Sequence, residues 1–203
     1  MARKTIFGTV LALAAGALLS GAAPAMAAPW MTLTSPAFQN GQRIPVRFGG
    51  DDQKRLCDPR VPGKICPCPG QNVSPQLTWA NVPKGAKSLA ILMYDIDGRF
   101  GAGVSHWVAY NIAPASHGLA EGDGTAGKGY TGGAGTRGNA AYLGPCPPQG
   151  AGPHHYTITL IALDLAPTLP GGLTREAFLE KVKGHMLSSA TLGGLFARTY
   201  SDH

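Results

Sequence analysis

The sequence predicts a mainly β fold, and three observations carry that expectation. Glycine (29) and proline (17) are dense for a chain of 203 residues, and charged residues make up only 14% of it. The apolar residues gather in short β-branched and aromatic runs separated by turn signals. Apolar content of 44% is ample for a packed core and excludes a disordered chain. The length suits one domain.

Residues 1–27 read as a secretory leader rather than as part of that domain. Arg3 and Lys4 precede the apolar stretch Ile6 to Leu19, and small residues lead to Ala25-Met26-Ala27, an A-x-A cleavage pattern. Glycine, serine and proline interrupt the apolar run short of a comfortable membrane span. No cysteine follows Leu18-Leu19-Ser20-Gly21, which argues against a lipid-anchored product. Cleavage after Ala27 leaves residues 28–203, expected to be soluble, exported and periplasmic or secreted. It removes two cations and no acids, so the formal charge of +6 becomes +4.

Along the mature chain, Met31 to Thr34 and Ile44 to Phe48 predict short strands. Residues 51–70 are polar and rich in proline and cysteine, the pattern of a stapled insertion loop. Thr78-Trp79 predicts a strand, and Ser88 to Tyr94, almost wholly apolar, predicts one buried on both faces. His106 to Ile112 follows as another. Residues 113–153 lack periodicity and predict a long loop region, a length that itself suggests function. Tyr156 to Leu165 is the clearest strand. Thr174 to Lys183 predicts a helix, with Thr174 as N-cap, Glu176 in the first turn, lysines in the last and Gly184 as the stop. His185 to Thr199 predicts a second short helix.

Lys and Arg are scattered rather than clustered or interleaved with aromatics, so the positive charge does not indicate nucleic-acid binding. Cys57, Cys66, Cys68 and Cys146 are disulfide candidates in an exported chain, and four cysteines allow three connectivities. Cys66 and Cys68 stand too close to pair with each other. A short loop closed by Cys57, with the remaining partner reaching Cys146, is the expected pattern. Cys66-Pro67-Cys68 lacks the spacing of structural zinc ligands, and no metal is expected. Gly122 to Gly127 spells G-x-G-x-x-G, but no predicted strand precedes it and no predicted helix follows, which argues against a dinucleotide site. Asn72-Val73-Ser74 is a glycosylation sequon in letters only, with Pro75 directly after it. No G-x-S-x-G nucleophile elbow occurs.

The candidate site comes from strand ends. Asp95-Ile96-Asp97 closes an apolar strand, and strand period two places both carboxylates on one face. The bland reading is a turn with Asx-type hydrogen bonds. Ser105-His106-Trp107 opens the next strand. Gly144-Pro145-Cys146-Pro147-Pro148 is stiff, because its prolines lock φ and donate no backbone hydrogen bond. His154 shares parity with Tyr156 and Ile158 and is expected inward, whereas His155 is expected on the more polar face. Acids, imidazoles and glycine N–H groups at strand ends suit a pocket for a small phosphate-like head group. There the acids would set the histidines' tautomers or charge.

Taken in order, Asn72-Val73-Ser74-Pro75-Gln76-Leu77-Thr78-Trp79, Val82-Pro83, Asp95-Ile96-Asp97, His106-Trp107, Gly144 to Pro148 and His154-His155-Tyr156 resemble the phosphatidylethanolamine-binding protein family. The pattern is most similar to its bacterial Raf-kinase-inhibitor-like branch, of the YbhB/YbcL type. Ala162-Leu163-Asp164 and Leu195-Phe196-Ala197-Arg198 fit that branch too, so the resemblance spans nearly all of residues 31–199. It implies an antiparallel β-sandwich of two sheets with Greek-key connections and short peripheral helices. It also implies a pocket for phosphate or phosphoryl head groups, formed here by Asp95, Asp97, His106, Gly144, Pro147, Pro148, His154 and Tyr156. Three departures stand out: Ile96 in place of the usual proline, His155 in place of a common arginine, and the Cys-rich insertion.

The leading expectation is a non-catalytic binding protein for a small anionic or phosphoryl ligand, a phospholipid head group among them, with no cofactor and no stable membrane insertion. The resemblance makes a homodimer a candidate assembly. Protease inhibition or another protein-binding regulatory role is the first alternative. A metal-assisted hydrolase using His106, His154 and the Asp95/Asp97 pair is the second.

Overall fold

The computed structural model describes Met1 and residues 29–58 and 61–198. Residues 2–27 of the leader and Thr199 therefore lie outside the described residues. In chain order the strands are β1 (Thr32–Thr34), β2 (Gln42–Arg43), β3 (Leu56–Asp58), β4 (Val61–Ile65), β5 (Leu77–Ala80), β6 (Ser88–Asp95), β7 (Val104–Ile112), β8 (Gly118–Leu119), β9 (Thr131–Gly132), β10 (His154–Leu163) and β11 (Met186–Phe196). Two α-helices accompany them, α1 (Asp123–Ala126) and α2 (Arg175–Lys181). A six-stranded sheet runs β2-β11-β10-β6-β7-β9, a three-stranded sheet runs β1-β5-β8, and β3 and β4 pair apart from both. All pairings are antiparallel except β11 with β2, which departs from the all-antiparallel expectation.

β6 explains how the layers stack. Its alternate residues Leu89, Ile91 and Met93 face the small sheet, where Leu77 and Trp79 of β5 and Leu33 of β1 meet them in the main core. Its other residues, Ala90 and Leu92, face away and pack with Val108, Tyr110, Ile161 and Leu163 under Phe178 and Val182. A sheet covered on both faces needs a central strand without polar alternation, which is why Ser88 to Tyr94 reads as one apolar run. Phe178 is fully buried, and that burial contributes about 2 to 3 kcal/mol toward docking α2 on the sheet.

α2 begins where the sequence places it. The Thr174 hydroxyl accepts the Ala177 N–H at 3.2 Å, Glu176 lies in the first turn and Lys181 in the last. Gly184, at φ 81°, turns the chain back toward the sheet. Thr174→Ala is expected to lower stability by about 1 kcal/mol, read as a reduced urea midpoint at unchanged slope.

Four local expectations are corrected. Ile44 to Phe48 is not a strand. Pro45, at φ −58°, opens a 3₁₀ turn over Val46–Phe48, with Phe48 N–H bonded to Pro45 O at 3.0 Å. Its β-branched residues suggest a strand, but proline cannot donate to a ladder, and the turn drives Phe48 into the core. His185 to Phe196 is not helical but contains β11, paired with β10 along nearly its whole length. Ser188, Ser189, Thr191, Gly193 and Gly194 are weak helix formers, and the open edge of β10 decides their conformation. Residues 51–70 contain the β3–β4 hairpin, and residues 113–153 contain β8, α1 and β9. The glycine-rich segment Gly122–Gly127 is therefore preceded by a strand, though one of only two residues, and it houses the one-turn α1. Its Gly124 is packed so that an added Cβ would lie 2.8 Å from the Trp107 ring.

Candidate functional site

The site grows from the place where β6 ends. Asp95 is buried, and its Oδ1 accepts the N–H groups of Asp97 and Gly98, each at 3.0 Å. This Asx-type turn breaks the strand and ends the period-two alternation. Asp97 therefore does not share Asp95's environment, contrary to the expectation of one common face. The other Asp95 oxygen, Oδ2, accepts from His154 Nδ1 at 2.8 Å. Asp97 Oδ2 instead accepts the backbone N–H of His155 at 2.6 Å and its Nδ1–H at 2.9 Å. Each acid holds one histidine of the adjacent β10 pair, one buried and one exposed.

β10 sorts that pair by parity as expected, with His154 and Tyr156 inward and His155 outward. The Asp95 hydrogen bond raises the pKa of His154 against the opposing effect of burial, with further Coulombic help from Asp95 and Asp97. His154 thus carries a proton on Nδ1 for Asp95 and a second ring nitrogen that becomes a donor when the ring is cationic. His106 behaves differently. Its Nδ1 lies 2.8 Å from the Leu143 carbonyl, which can only accept, so Nδ1 is protonated. Burial is the largest influence and lowers its pKa, keeping the ring neutral and leaving Nε2 as an acceptor. Tyr156 packs edge-on against His106, with ring centroids 5.3 Å apart. Burial, then the Asp95 carboxylate, push its phenol pKa up and keep it protonated.

The Gly144–Pro148 segment is fastened from several sides. Gly144 N–H donates to Asn72 Oδ1 at 2.8 Å, and Gly50 N–H donates to Pro145 O at 2.8 Å. Since the Gly144 N–H is already engaged, it is not a free donor of an anion nest, as the sequence suggests. Glycine is required there for space, because an added Cβ would sit 2.5 Å from Phe48 O. The buried Arg198 donates from Nε to Pro147 O at 2.6 Å and from an η nitrogen to Cys66 O. Cys68–Cys146 ties the same segment to the insertion, and Cys57–Cys66 closes the β3–β4 hairpin.

These elements enclose a cavity of about 1020 Å³. All eight residues assigned from the sequence line it: Asp95, Asp97, His106, Gly144, Pro147, Pro148, His154 and Tyr156. The cavity also has walls that sequence reasoning missed, including Arg55, Arg99, Thr136 and Arg137, together with Asp51 and Asp52. These come from loops without periodicity, where no spacing signal marks a site residue. Arg198 was legible as part of a terminal motif but not as the anchor of Pro147. Among the described residues, no group of three His, Cys, Asp or Glu side chains is placed to hold a metal ion.

Fold and cavity together define a small β-sandwich protein with one acid–histidine pocket at its strand ends. The profile described as phosphatidylethanolamine-binding protein matches residues 34–197. An uncharacterised-family (UPF0098) protein of Methanothermobacter thermautotrophicus is 38% identical over 171 residues, covering 83% of this chain and 99% of that protein. A Mycobacterium tuberculosis protein named as a lipoprotein, LppC, is 38% identical over 173 residues, covering 85% of this chain and 75% of that protein. Among solved structures, Escherichia coli YbcL superposes with a TM-score of 0.70 at 26% identity, covering 83% of this chain and 99% of that one. A phosphatidylethanolamine-binding protein homologue of Chlamydia trachomatis superposes at 0.68 and 32% identity, covering 83% and 98%. The chain belongs to the phosphatidylethanolamine-binding protein family.

Proposed function

We propose that this chain is an exported, non-catalytic binding protein whose pocket takes a phosphate or phosphoryl group. The observation that carries the reading is the buried Asp95–His154 pair beside neutral His106 and the clamped Gly144–Pro148 segment. A cationic His154 donates to a phosphoryl oxygen, and His106 accepts from a ligand hydroxyl or N–H. The leader pattern of residues 1–27 and the two disulfides support export, as does the lipoprotein name of the M. tuberculosis relative. No helix among the described residues is long and apolar enough to cross a membrane.

Inorganic phosphate or O-phosphoethanolamine is expected to raise the unfolding temperature of the purified chain in a concentration-dependent way. His154→Ala should reduce that protection by about tenfold in ligand concentration, the scale of one charge-assisted hydrogen bond. Absence of any shift with either compound at millimolar concentration defeats the reading.

A further inference from the structure

The cysteine-rich segment of residues 51–70 carries a charge into the cavity. Arg55 immediately precedes β3, and its carbonyl accepts the Cys66 N–H at 2.8 Å, so the disulfide-closed hairpin fixes its backbone. Its side chain lines the same cavity as His106 and His154, and its Nε is buried with no hydrogen-bond partner. Arg137 lines the cavity as well, from the loop after β9. Burial, then Arg137 and Arg198, push the Arg55 pKa down, and Arg137 also opposes protonation of His106. The two guanidinium groups and the His106 imidazole thus line one cavity.

The carboxylates around the cavity do not neutralise these arginines by direct contact. Asp95 and Asp97 are bonded to His154 and His155. Asp52 Oδ1 accepts the Lys54 N–H. Asp52 still favours the charged forms of Arg55 and Arg198 from a distance. Among the described residues neither Arg55 nor Arg137 has a carboxylate within 4.0 Å. Two guanidinium groups that repel each other across a cavity are compensated best by a ligand carrying two negative charges.

Resting on the phosphoryl-binding reading above, we infer that Arg55 and Arg137 form a charge-selecting wall, and that the ligand presents a terminal phosphate, a phosphomonoester dianion or inorganic phosphate, in preference to the singly charged phosphodiester of a membrane phospholipid. A terminal phosphate offers three unesterified oxygens and close to two charges at neutral pH. A phosphodiester offers two such oxygens and one charge. Arginine forks pair bidentately with phosphate oxygens, so the third oxygen and second charge matter only where a second fork is present.

Titration calorimetry at pH 7.5 on the intact disulfide-bonded chain tests this, with inorganic phosphate, O-phosphoethanolamine and glycerophosphoethanolamine as probes. Both dianions are expected to bind at least about tenfold more tightly than the diester. Arg55→Gln and Arg137→Gln should each weaken binding of the dianions several-fold more than binding of the diester, removing most of that selectivity. Arg137 is exposed, so its variant remains informative if Arg55→Gln perturbs the hairpin. Equal or tighter diester binding, or unchanged selectivity in both variants, overturns the inference and leaves phosphoryl binding standing. If no probe binds the unmodified chain, both readings fall together.

Discussion

Replacing Asp95 with alanine is expected to lower stability by about 3 to 5 kcal/mol and to abolish phosphate protection at millimolar ligand. One carboxylate, only 3% exposed, serves three donors: the Asp97 and Gly98 N–H groups and His154 Nδ1. Alanine orphans all three, releasing the turn that ends β6 as well as the ring that lines the cavity. Asp95→Asn separates these effects. Its amide oxygen can still accept the two turn N–H groups, but its NH₂ would face a protonated Nδ1 and force His154 to the other neutral tautomer. The expected loss is smaller, about 1 to 3 kcal/mol.

The same variant has a pH signature. His154 has its folded pKa raised above 6.5, chiefly by the Asp95 hydrogen bond. Its contribution to stability is complete below about pH 6.5 and disappears as pH rises through the raised folded value. His106 has its folded pKa lowered, chiefly by burial, so its contribution is present above about pH 6.5 and disappears as pH falls toward the folded value. In the unmodified protein the two slopes oppose each other around neutrality. Urea unfolding between pH 5.5 and 8 should show that Asp95→Asn has lost the gain on acidification and kept the His106 loss. A parallel pH dependence in both proteins would contradict the assignment of a raised His154 pKa to Asp95.

The second large effect belongs to the disulfides. Cys68–Cys146 closes a loop of sequence separation 78, and Cys57–Cys66 one of separation 9. Loop-closure entropy in the unfolded chain gives about 4.5 kcal/mol for the first and about 2.5 kcal/mol for the second. Cys68→Ser with Cys146→Ser should therefore reduce the guanidinium midpoint more than Cys57→Ser with Cys66→Ser. The pocket consequences also differ. Losing Cys68–Cys146 unties the Gly144–Pro148 segment and should weaken binding of every phosphoryl probe. Losing Cys57–Cys66 frees the backbone that presents Arg55 and should cost mainly the preference for dianions. Equal midpoints for the two pairs would show that the large loop retains structure when unfolded, against the entropic argument.

Much of this architecture is legible before folding because its causes are local. Ser88 to Tyr94 reads as a strand covered on both faces, since only apolar residues satisfy the small sheet and α2 together. Thr174 marks the start of α2 because its hydroxyl accepts an N–H three residues on. The parity of His154, His155 and Tyr156 sends the right two side chains inward, because alternation is a property of the strand itself.

Where the outcome depends on distant partners, local reading fails. His185 to Phe196 has the composition of a weak helix and becomes β11 because β10 offers it an open edge. Asp97 leaves the environment of Asp95 because a turn held by Asp95 itself ends the alternation. Gly144 loses its free N–H to Asn72, a residue 72 positions away in the chain. The arginine wall depends on the hairpin, since no spacing relates Arg55 to Arg137 or to His106.

A mainly β chain with an exported pattern, its family, and eight of the residues that line the pocket are legible before folding, because composition, parity and motif order are written along the chain. Which acid holds which histidine, which N–H groups are already engaged, and which cations join the cavity emerge only once the chain is folded. Those choices are made by side chains far apart in sequence, competing for the same hydrogen-bond partners once the strands pair.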